Sequence, residues 1–209
     1  MRKPFLLFDL DGTLWDAGPE VAQSFNEVLE KIEPKYAGLT TERIHSLMGK
    51  TMDAIADELF CEEKLERRME LLSQCSAYEV EYIKKSGGTL YPGVLRCLSV
   101  LRERGYKMAI VSNCQTGYVP AFLSSMKMRE FFTDYEQWGN TGKTKGENIR
   151  LVMERNNEYI AYYIGDTQGD CEAAAYAGIP FVHAAYGFGQ VNRCEYSLQA
   201  FGDLLSIFQ

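Results

Sequence analysis

The chain has 209 residues, of which 46% are apolar and 24% are charged, so it can bury the core of one good-sized domain, or of a domain with a smaller insert. Its 22 basic and 29 acidic side chains give a net charge of −7. A negative chain repels phosphate backbones and anionic lipid, so we expect neither nucleic acid nor a membrane among its partners.

The sequence also indicates a cellular compartment. The apolar run Phe5–Phe8 is too short for a signal peptide, and no segment reaches membrane-spanning length. The six cysteines lack CxxC spacing, so we expect them to be reduced. We therefore expect a cytoplasmic protein. The oligomeric state is left open, with a monomer or a weak homodimer as the expectation.

The first predicted element is a strand over residues 4–9, because its unbroken apolar run is typical of a central parallel strand. Apolar residues then recur at helical spacing, with no strand-like alternation as far as residue 85. Helices are predicted over residues 21–32, 42–48 and 51–60, and one or two more over residues 62–85.

From residue 89 onwards, helices and strands alternate. The helices are predicted over residues 94–101, 119–128, 149–153, 170–177 and, at the end of the chain, 198–208. The strands are predicted over residues 106–111, 131–138, 159–164 and 179–183. This alternation predicts an α/β fold, in which a parallel sheet is covered by helices on both faces.

The all-helical stretch interrupts that pattern after the first strand. Gly18-Pro19 precedes it and Ser86-Gly87-Gly88 follows it, and both are typical of linkers. We therefore predict an α/β core made of residues 1–15 and 87–209, with a helical insert over residues 16–86.

Polar side chains follow four of the predicted strands. In an open parallel sheet, ligands bind beyond the carboxyl ends of the strands, so these side chains converge on one site. They are Asp9, Asp11 and Thr13 after the first strand, Ser112 and Asn113 after the second, Lys143 and Lys145 after the third, and Asp166 and Asp170 after the fourth.

These residue types suit phosphoryl transfer. Carboxylates brought this close repel one another, and a hard divalent cation such as Mg²⁺ relieves that repulsion. A serine and an asparagine can bind phosphoryl oxygens, and a lysine adds positive charge. One carboxylate can attack phosphorus while another transfers protons, which together would hydrolyse a phosphate ester.

Four segments resemble the motifs of the haloacid dehalogenase-like (HAD) superfamily, in the same order along the whole chain. They are DLDGT at 9–13, Ser112-Asn113, a downstream lysine, and GDTQGD at 165–170. The sequence is most similar to the phosphoglycolate-phosphatase-like group. This resemblance implies a Rossmann-like core and, over residues 16–86, an all-helical C1-type cap that closes over the site and selects the substrate.

The resemblance also implies a role for each motif residue. Asp9 would be the nucleophile and a magnesium ligand, and Asp11 the general acid and base, with its backbone carbonyl on the metal. Asp166 would be a metal ligand, and Asp170 a ligand through water or a partner of the lysine. Thr13 would support the phosphoryl site, and Ser112 and Asn113 would bind the phosphoryl group. Lys145, directly before a predicted helix, is favoured over Lys143 as the motif lysine, although the proline that often follows it is absent.

The implied function is magnesium-dependent hydrolysis of a small phosphate monoester through an aspartyl phosphate. The alternatives are a sugar phosphomutase of the β-phosphoglucomutase type and a hydrolase of the 5′-nucleotidase type. Thr13 favours hydrolysis, because such mutases often carry valine there. Asp11 argues against a dehalogenase or phosphonatase, and the complete set of acids argues against a non-catalytic phosphate sensor. The substrate depends on cap residues that the sequence does not rank.

Overall fold

The computed structural model describes residues 3–192 and 194–209. After the opening strand, the first part of the chain contains one more short strand and four helices. In chain order these are β1 (Phe5–Phe8), β2 (Trp15–Asp16), α1 (Gly18–Ile32), α2 (Thr41–His45), α3 (Met52–Leu59) and α4 (Leu65–Ser86). The predicted helical insert is therefore helical, and residues 62–85 contribute a single helix that begins at Leu65.

The second part alternates strands and helices. In chain order these are β3 (Thr89–Leu90), α5 (Val94–Glu103), β4 (Met108–Ser112), α6 (Tyr118–Ser125), β5 (Asp134–Gln137), α7 (Trp138–Thr141), α8 (Lys145–Arg155), β6 (Ala161–Gly165), α9 (Gln168–Ala177), β7 (Phe181–Ala184), β8 (Tyr196–Leu198) and α10 (Leu204–Ile207). The short helix α7 had no counterpart among the predicted elements.

Six strands form one parallel sheet in the order β5-β4-β1-β6-β7-β8. Strand β1 lies in the middle, where Leu7 is paired with Ala109 of β4 and with Tyr163 of β6. Helices α8 and α9 pack on one face, while α5 and α6 pack on the other. The predicted α/β fold class is confirmed.

Alternate side chains of β1 enter the two cores that this sheet separates. Leu6 and Phe8 belong to the larger core, whereas Phe5 and Leu7 belong to the core beneath α8 and α9. All four side chains are buried. Because both faces are covered, β1 needs an unbroken apolar run rather than an alternating one.

The chain enters and leaves the helical insert through a two-stranded ribbon. Strands β2 and β3 pair antiparallel, with Trp15 opposite Leu90. The Trp15 ring is fully buried and lies 4.8 Å from the ring of Phe122. Strands of two residues carry too little periodicity to be predicted from sequence. The ribbon lies at the predicted boundaries of the insert, while the division into two domains stays a prediction.

The helix predicted over residues 198–208 was wrong at its start. Leu198 ends β8, which pairs parallel with β7, and helix appears only from Phe201 onwards. The Asp203 carboxylate accepts hydrogen bonds from the backbone N–H groups of Gln199 and Ala200, and so caps the helical turns from that side. The apolar residues that suggested a helix are buried here by a strand followed by single turns. Within residues 3–192 and 194–209, we find no helix that is long and apolar enough to cross a membrane.

The position of β1 leads to a stability prediction. We expect Leu7→Ala to lower the free energy of unfolding by about 2–5 kcal/mol, because it leaves a cavity in the middle of the sheet. The matched variant Leu95→Ala alters a leucine that is 53% exposed on α5, and should change the free energy by less than about 0.5 kcal/mol. Urea denaturation of both variants measures the difference, and equal effects would contradict the central position of β1.

Candidate active site

The predicted site residues lie together at the carboxyl edge of the sheet. Asp9 directly follows β1, Ser112 ends β4, and Asp166 directly follows β6. Lys145 is the first residue of α8, and Asp170 lies in the first turn of α9. Each of these side chains is buried, so the site is assembled beneath the surface.

Lys145 joins two of the carboxylates. Its Nζ lies 3.0 Å from Asp9 Oδ1 and 2.6 Å from Asp170 Oδ1. Burial alone would lower the pKa of this ammonium, but the charges of Asp170 and Asp9 outweigh it and hold the pKa above its ordinary value. Lys145 is therefore charged. By contrast, Lys143 is exposed, so the structure brings only the favoured lysine into the site.

The other oxygen of Asp170 is also occupied. Asp170 Oδ2 accepts hydrogen bonds from the backbone N–H of Asp166 at 3.2 Å and from the backbone N–H and hydroxyl of Thr167 at 3.0 and 2.7 Å. These bonds cap α9 and fix the loop that carries Asp166. Two roles were expected for Asp170, and this geometry favours its role as the partner of Lys145.

Asp166 is held so that one of its oxygens stays open. Its Oδ2 accepts hydrogen bonds from the backbone N–H groups of Phe188 at 2.8 Å and Gly189 at 3.3 Å. Its Oδ1 is buried and has no hydrogen-bond partner among the residues that the structure describes. A buried carboxylate oxygen without a partner is costly unless a ligand satisfies it, which suits an oxygen that binds a cation.

Two glycines allow this close packing around Asp166. Gly12 has φ +79°, and a Cβ there would lie 2.3 Å from Asp166 Oδ2. A Cβ on Gly187 would lie 2.3 Å from the carbonyl oxygen of Gly12. A side chain at either position would push Asp166 away from the site.

Asp9, Asp166 and Asp170 can place one oxygen each within 4.8 Å of one another. Burial raises the pKa of Asp9 to about 7, and Asp170 and Asp166 push it upwards while Lys145 opposes them. Burial likewise raises the pKa of Asp166 to about 7, with Asp170 adding to the effect. More negative charge is gathered here than one ammonium offsets. The donor set and the open Asp166 oxygen therefore fit a hard divalent cation such as Mg²⁺.

Asp11 has different surroundings. Its Oδ1 accepts hydrogen bonds from the Trp15 indole N–H at 3.0 Å and from the Tyr118 hydroxyl at 2.9 Å. Burial, and then the charge of Asp9, raise the pKa of Asp11 to about 7 despite these two bonds. The carboxyl group of Asp11 is thus fixed in orientation and able to exchange a proton near neutral pH.

Two of the neutral motif residues, Ser112 and Asn113, also reach the site. Ser112 and Asn113 line a cavity together with Asp9 and Asp11. The Asn113 side-chain amide donates a hydrogen bond of 2.9 Å to the carbonyl of Gly49 in the helical insert, so it links the core to the insert. Thr13 is fully buried, and within residues 3–192 and 194–209 its hydroxyl finds no hydrogen-bond partner.

The cavity lies between the sheet edge and the insert and has a volume of about 70 Å³. The insert forms one side of the cavity, which is lined by helices α1, α3 and α4 and by the segment after α2. Lys50, from that segment, is among the lining residues, and its ammonium pairs with Glu58. The small volume indicates a small ligand.

Several residues of the site were missed by the sequence analysis. The backbone N–H groups of Phe188 and Gly189 carry no sequence signal, because every residue except proline has such a group. Tyr118 and Glu79 lie within helices, where nothing in the spacing marks them as facing the site. The aromatic Trp15 could have been assigned a contact with Asp11 only with knowledge of the turn between them.

Comparison with known proteins agrees with this geometry. A sequence model of the Haloacid dehalogenase-like hydrolase family matches residues 6–184, most of the chain. The chain belongs to the haloacid dehalogenase-like hydrolase family. It is also 34% identical over 196 residues to a phosphoglycolate phosphatase of Rhodobacter capsulatus, an alignment that covers 88% of this chain and 85% of the relative. The expected membership of this family is confirmed, and the chain is a phosphoglycolate-phosphatase-like HAD phosphatase.

Solved structures show the same fold. A predicted phosphoglycolate phosphatase from Haemophilus somnus 129PT superposes with a TM-score of 0.87 at 22% identity, over 100% of this chain and 99% of that one. A predicted phosphatase from Clostridium acetobutylicum gives a TM-score of 0.81 at 23% identity, over 99% and 98% of the two chains. At these identities the likeness concerns the fold.

The buried ammonium leads to a second prediction. We expect Lys145→Met to lower the free energy of unfolding by about 3–5 kcal/mol, because it leaves two buried carboxylates without a counter-charge. Lys143→Met, in an exposed position two residues earlier, should stay within about 0.5 kcal/mol of the parent protein. Urea denaturation measures both. Similar stability of the two variants would show that Lys145 does not hold the acids together.

The open carboxylate oxygen of Asp166 leads to a third prediction. At a Mg²⁺ concentration ten times its Kd, binding should stabilise the protein by about 1.4 kcal/mol and raise Tm by roughly 3–6 °C. Asp166→Asn should lose this rise, while its Tm without Mg²⁺ should equal or exceed that of the parent, since one repelling charge is gone. Asp53→Asn, an exposed acid in α3, is the control and should keep the full rise. A rise retained in Asp166→Asn would argue against Asp166 as a ligand.

Proposed function

We propose that the protein hydrolyses small phosphate monoesters through a phosphorylated Asp9, with Mg²⁺ as its cofactor. The observation that carries this proposal is the setting of Asp9, which borders the cavity beneath the insert while its Oδ1 is bound to the Lys145 ammonium. A nucleophile needs such an orientation, because attack on phosphorus requires the attacking oxygen in line with the leaving group.

In the first step, the Asp9 oxygen that is not bound to Lys145 attacks phosphorus, and the ester oxygen leaves. Asp11 gives that oxygen a proton. The hydrogen bonds of Trp15 and Tyr118 to Oδ1 favour Oδ2 of Asp11 as the oxygen that carries the proton. A pKa of about 7 suits a group that must be protonated in this step and deprotonated in the next.

In the second step, a water molecule hydrolyses the aspartyl phosphate. Asp11, now a carboxylate, takes a proton from the water, which attacks phosphorus as the bond to Asp9 breaks. Inorganic phosphate leaves, and both carboxyl groups return to their starting states. Lys145 stays charged throughout and offsets negative charge on the phosphoryl oxygens.

Asp9 and Asp166 would hold the Mg²⁺ ion, together with the backbone carbonyl of Asp11, while Asp170 would keep Lys145 in place. When bound, the ion would supply positive charge at the phosphoryl oxygens. Ser112 and Asn113 would bind those oxygens, and the unpartnered hydroxyl of Thr13 would support the same site. Asn113 would exchange its bond to Gly49 for one to the phosphoryl group, which would couple substrate binding to the position of the insert.

We propose that residues 16–86 act as a cap that moves on the ribbon of β2 and β3, over a core of residues 1–15 and 87–209. The partner is a small phosphorylated metabolite rather than nucleic acid or a membrane. We propose a cytoplasmic enzyme that is a monomer or a weak homodimer.

The roles of Asp9 and Asp11 can be distinguished with esters that have different leaving groups. With p-nitrophenyl phosphate, whose phenolate leaves without a proton, Asp11→Asn should release a burst of about one p-nitrophenolate per enzyme and then turn over about 10²–10⁴-fold more slowly than the parent. With an alkyl phosphate it should show no burst. Asp9→Asn should show no burst with either ester and lose at least about 10³-fold in kcat. Rapid-mixing kinetics with Mg²⁺ measures all four cases.

The outcomes against the proposal are distinct. A full burst in Asp9→Asn would place the nucleophile elsewhere. Activity unchanged by removal of Mg²⁺ would argue against the cofactor. If a sugar bisphosphate were added and isomerised sugar monophosphate formed instead of inorganic phosphate, the enzyme would be a phosphomutase.

A further inference from the structure

One buried acid facing the cavity has no part in the mechanism described above. Glu79 lies in α4, on the side of the cavity that belongs to the helical insert, and is 5% exposed. It lines the same cavity as Asp9 and Asp11, near enough to Asp11 to be affected by its charge. Because Asp11 would give its proton to the leaving oxygen, the leaving group of a bound ester would lie on this side. A buried acid in such a place is usually paired with a cation or neutralised.

Glu79 has only a neutral partner among the contacts described for it. Its Oε2 accepts a hydrogen bond of 2.5 Å from the side-chain amide of Gln115, which follows β4 in the core. Burial, and then the charge of Asp11, raise the pKa of Glu79 to about 8. The carboxyl group is thus costly to ionise until a donor or a positive charge arrives beside it.

A second polar group shares its helix face. Ser76 lies three residues before Glu79 on α4, so the two side chains are neighbours on the helix surface. Ser76 also lines the cavity, and its buried hydroxyl oxygen has no hydrogen-bond partner in the described part of the chain. A hydroxyl without a partner and a carboxyl with one neutral partner therefore line the same small space, which suits a ligand group that bonds to both.

The rest of that side is apolar and offers no free positive charge. Its walls include Val21, Phe25, Ile44, Leu47, Met52 and Leu72. Among the cavity-lining residues that the structure describes, Lys50 alone is cationic, and its ammonium pairs with Glu58. Lys145 lies at the opposite side and is bound by Asp9 and Asp170. A leaving group that carries a carboxylate would thus meet the acids Asp11 and Glu79 and an apolar wall.

We propose that Glu79, with Ser76, receives a hydrogen-bond donor on the leaving group of the substrate, either a hydroxyl or an ammonium, and disfavours a leaving group that carries a carboxylate. This inference rests on the proposed phosphatase function and names the substrate class within it. It sets this chain apart from an enzyme built for phosphoglycolate, whose leaving group is a hydroxy acid.

Four esters of similar size test the inference with the Mg²⁺-loaded protein. They are 2-aminoethyl phosphate, 2-hydroxyethyl phosphate, n-propyl phosphate and phosphoglycolate. We expect kcat/KM for at least one of the two donor esters to exceed that of n-propyl phosphate at least tenfold, with phosphoglycolate the poorest of the four. A preference for 2-aminoethyl phosphate over 2-hydroxyethyl phosphate would identify an ammonium, and the reverse order a hydroxyl.

Substitution of Glu79 tests its part in that order. Glu79→Gln keeps the shape of the side chain and should lower kcat/KM for the preferred donor ester at least tenfold. It should leave kcat/KM for n-propyl phosphate within about threefold of the parent value and raise kcat/KM for phosphoglycolate. Ser76→Ala is a second variant and should lower kcat/KM for the preferred ester by a smaller factor. Glu81→Gln alters an exposed acid of the same helix and should leave all four values unchanged.

The results that overturn the inference differ from those that overturn the function. Efficient hydrolysis of phosphoglycolate, with an order of esters that Glu79→Gln does not change, would overturn the inference alone. Loss of all four activities in proportion would show that Glu79 is structural and would also overturn it. If p-nitrophenyl phosphate itself were not hydrolysed, the proposed function would fail and the inference with it.

Discussion

The ammonium of Lys145, buried between the carboxylates of Asp9 and Asp170, is the interaction on which the site depends. It ties the first residue after the central strand to the first turns of two helices, α8 and α9. From Asp170 the chain of contacts continues to the backbone of Asp166 and Thr167, so one positive charge fixes two strand ends and two helix starts. The remaining negative charge is what makes the site suited to a divalent cation.

The insert meets this rigid edge through a few polar contacts. Asn113 is bonded to the carbonyl of Gly49, and Gln115 is bonded to Glu79. Both core residues come from the loop after β4, so a single loop touches the proposed phosphoryl site and the insert together. Between these contacts the facing surface is largely apolar, and α4 of the insert packs against α6 of the core.

The acids and the lysine could be located from sequence because they follow strands, and parallel strands end at one edge whatever their order. The expected α/β core and its family are confirmed on that basis, while the residue roles stay predictions. Glu79 could not be found in this way, since α4 carries several acids and only the docking of the insert decides which one is buried. The Phe188 and Gly189 contacts are made by backbone, which every residue shares. Strand β8 was missed because three residues of strand cannot be told from helix by periodicity.

The central position of β1 has a consequence for biosynthesis. Its two neighbours in the sheet are β4 and β6, which begin at Met108 and Ala161, so the N-terminal strand leaves the ribosome long before either is made. The helices that come next can form locally, but Phe5–Phe8 must wait as an unpaired apolar segment. Contacts so distant along the chain slow folding and expose an aggregation-prone strand in the meantime. The arrangement that buries β1 and the adjoining Asp9 therefore makes the nascent chain vulnerable at this strand.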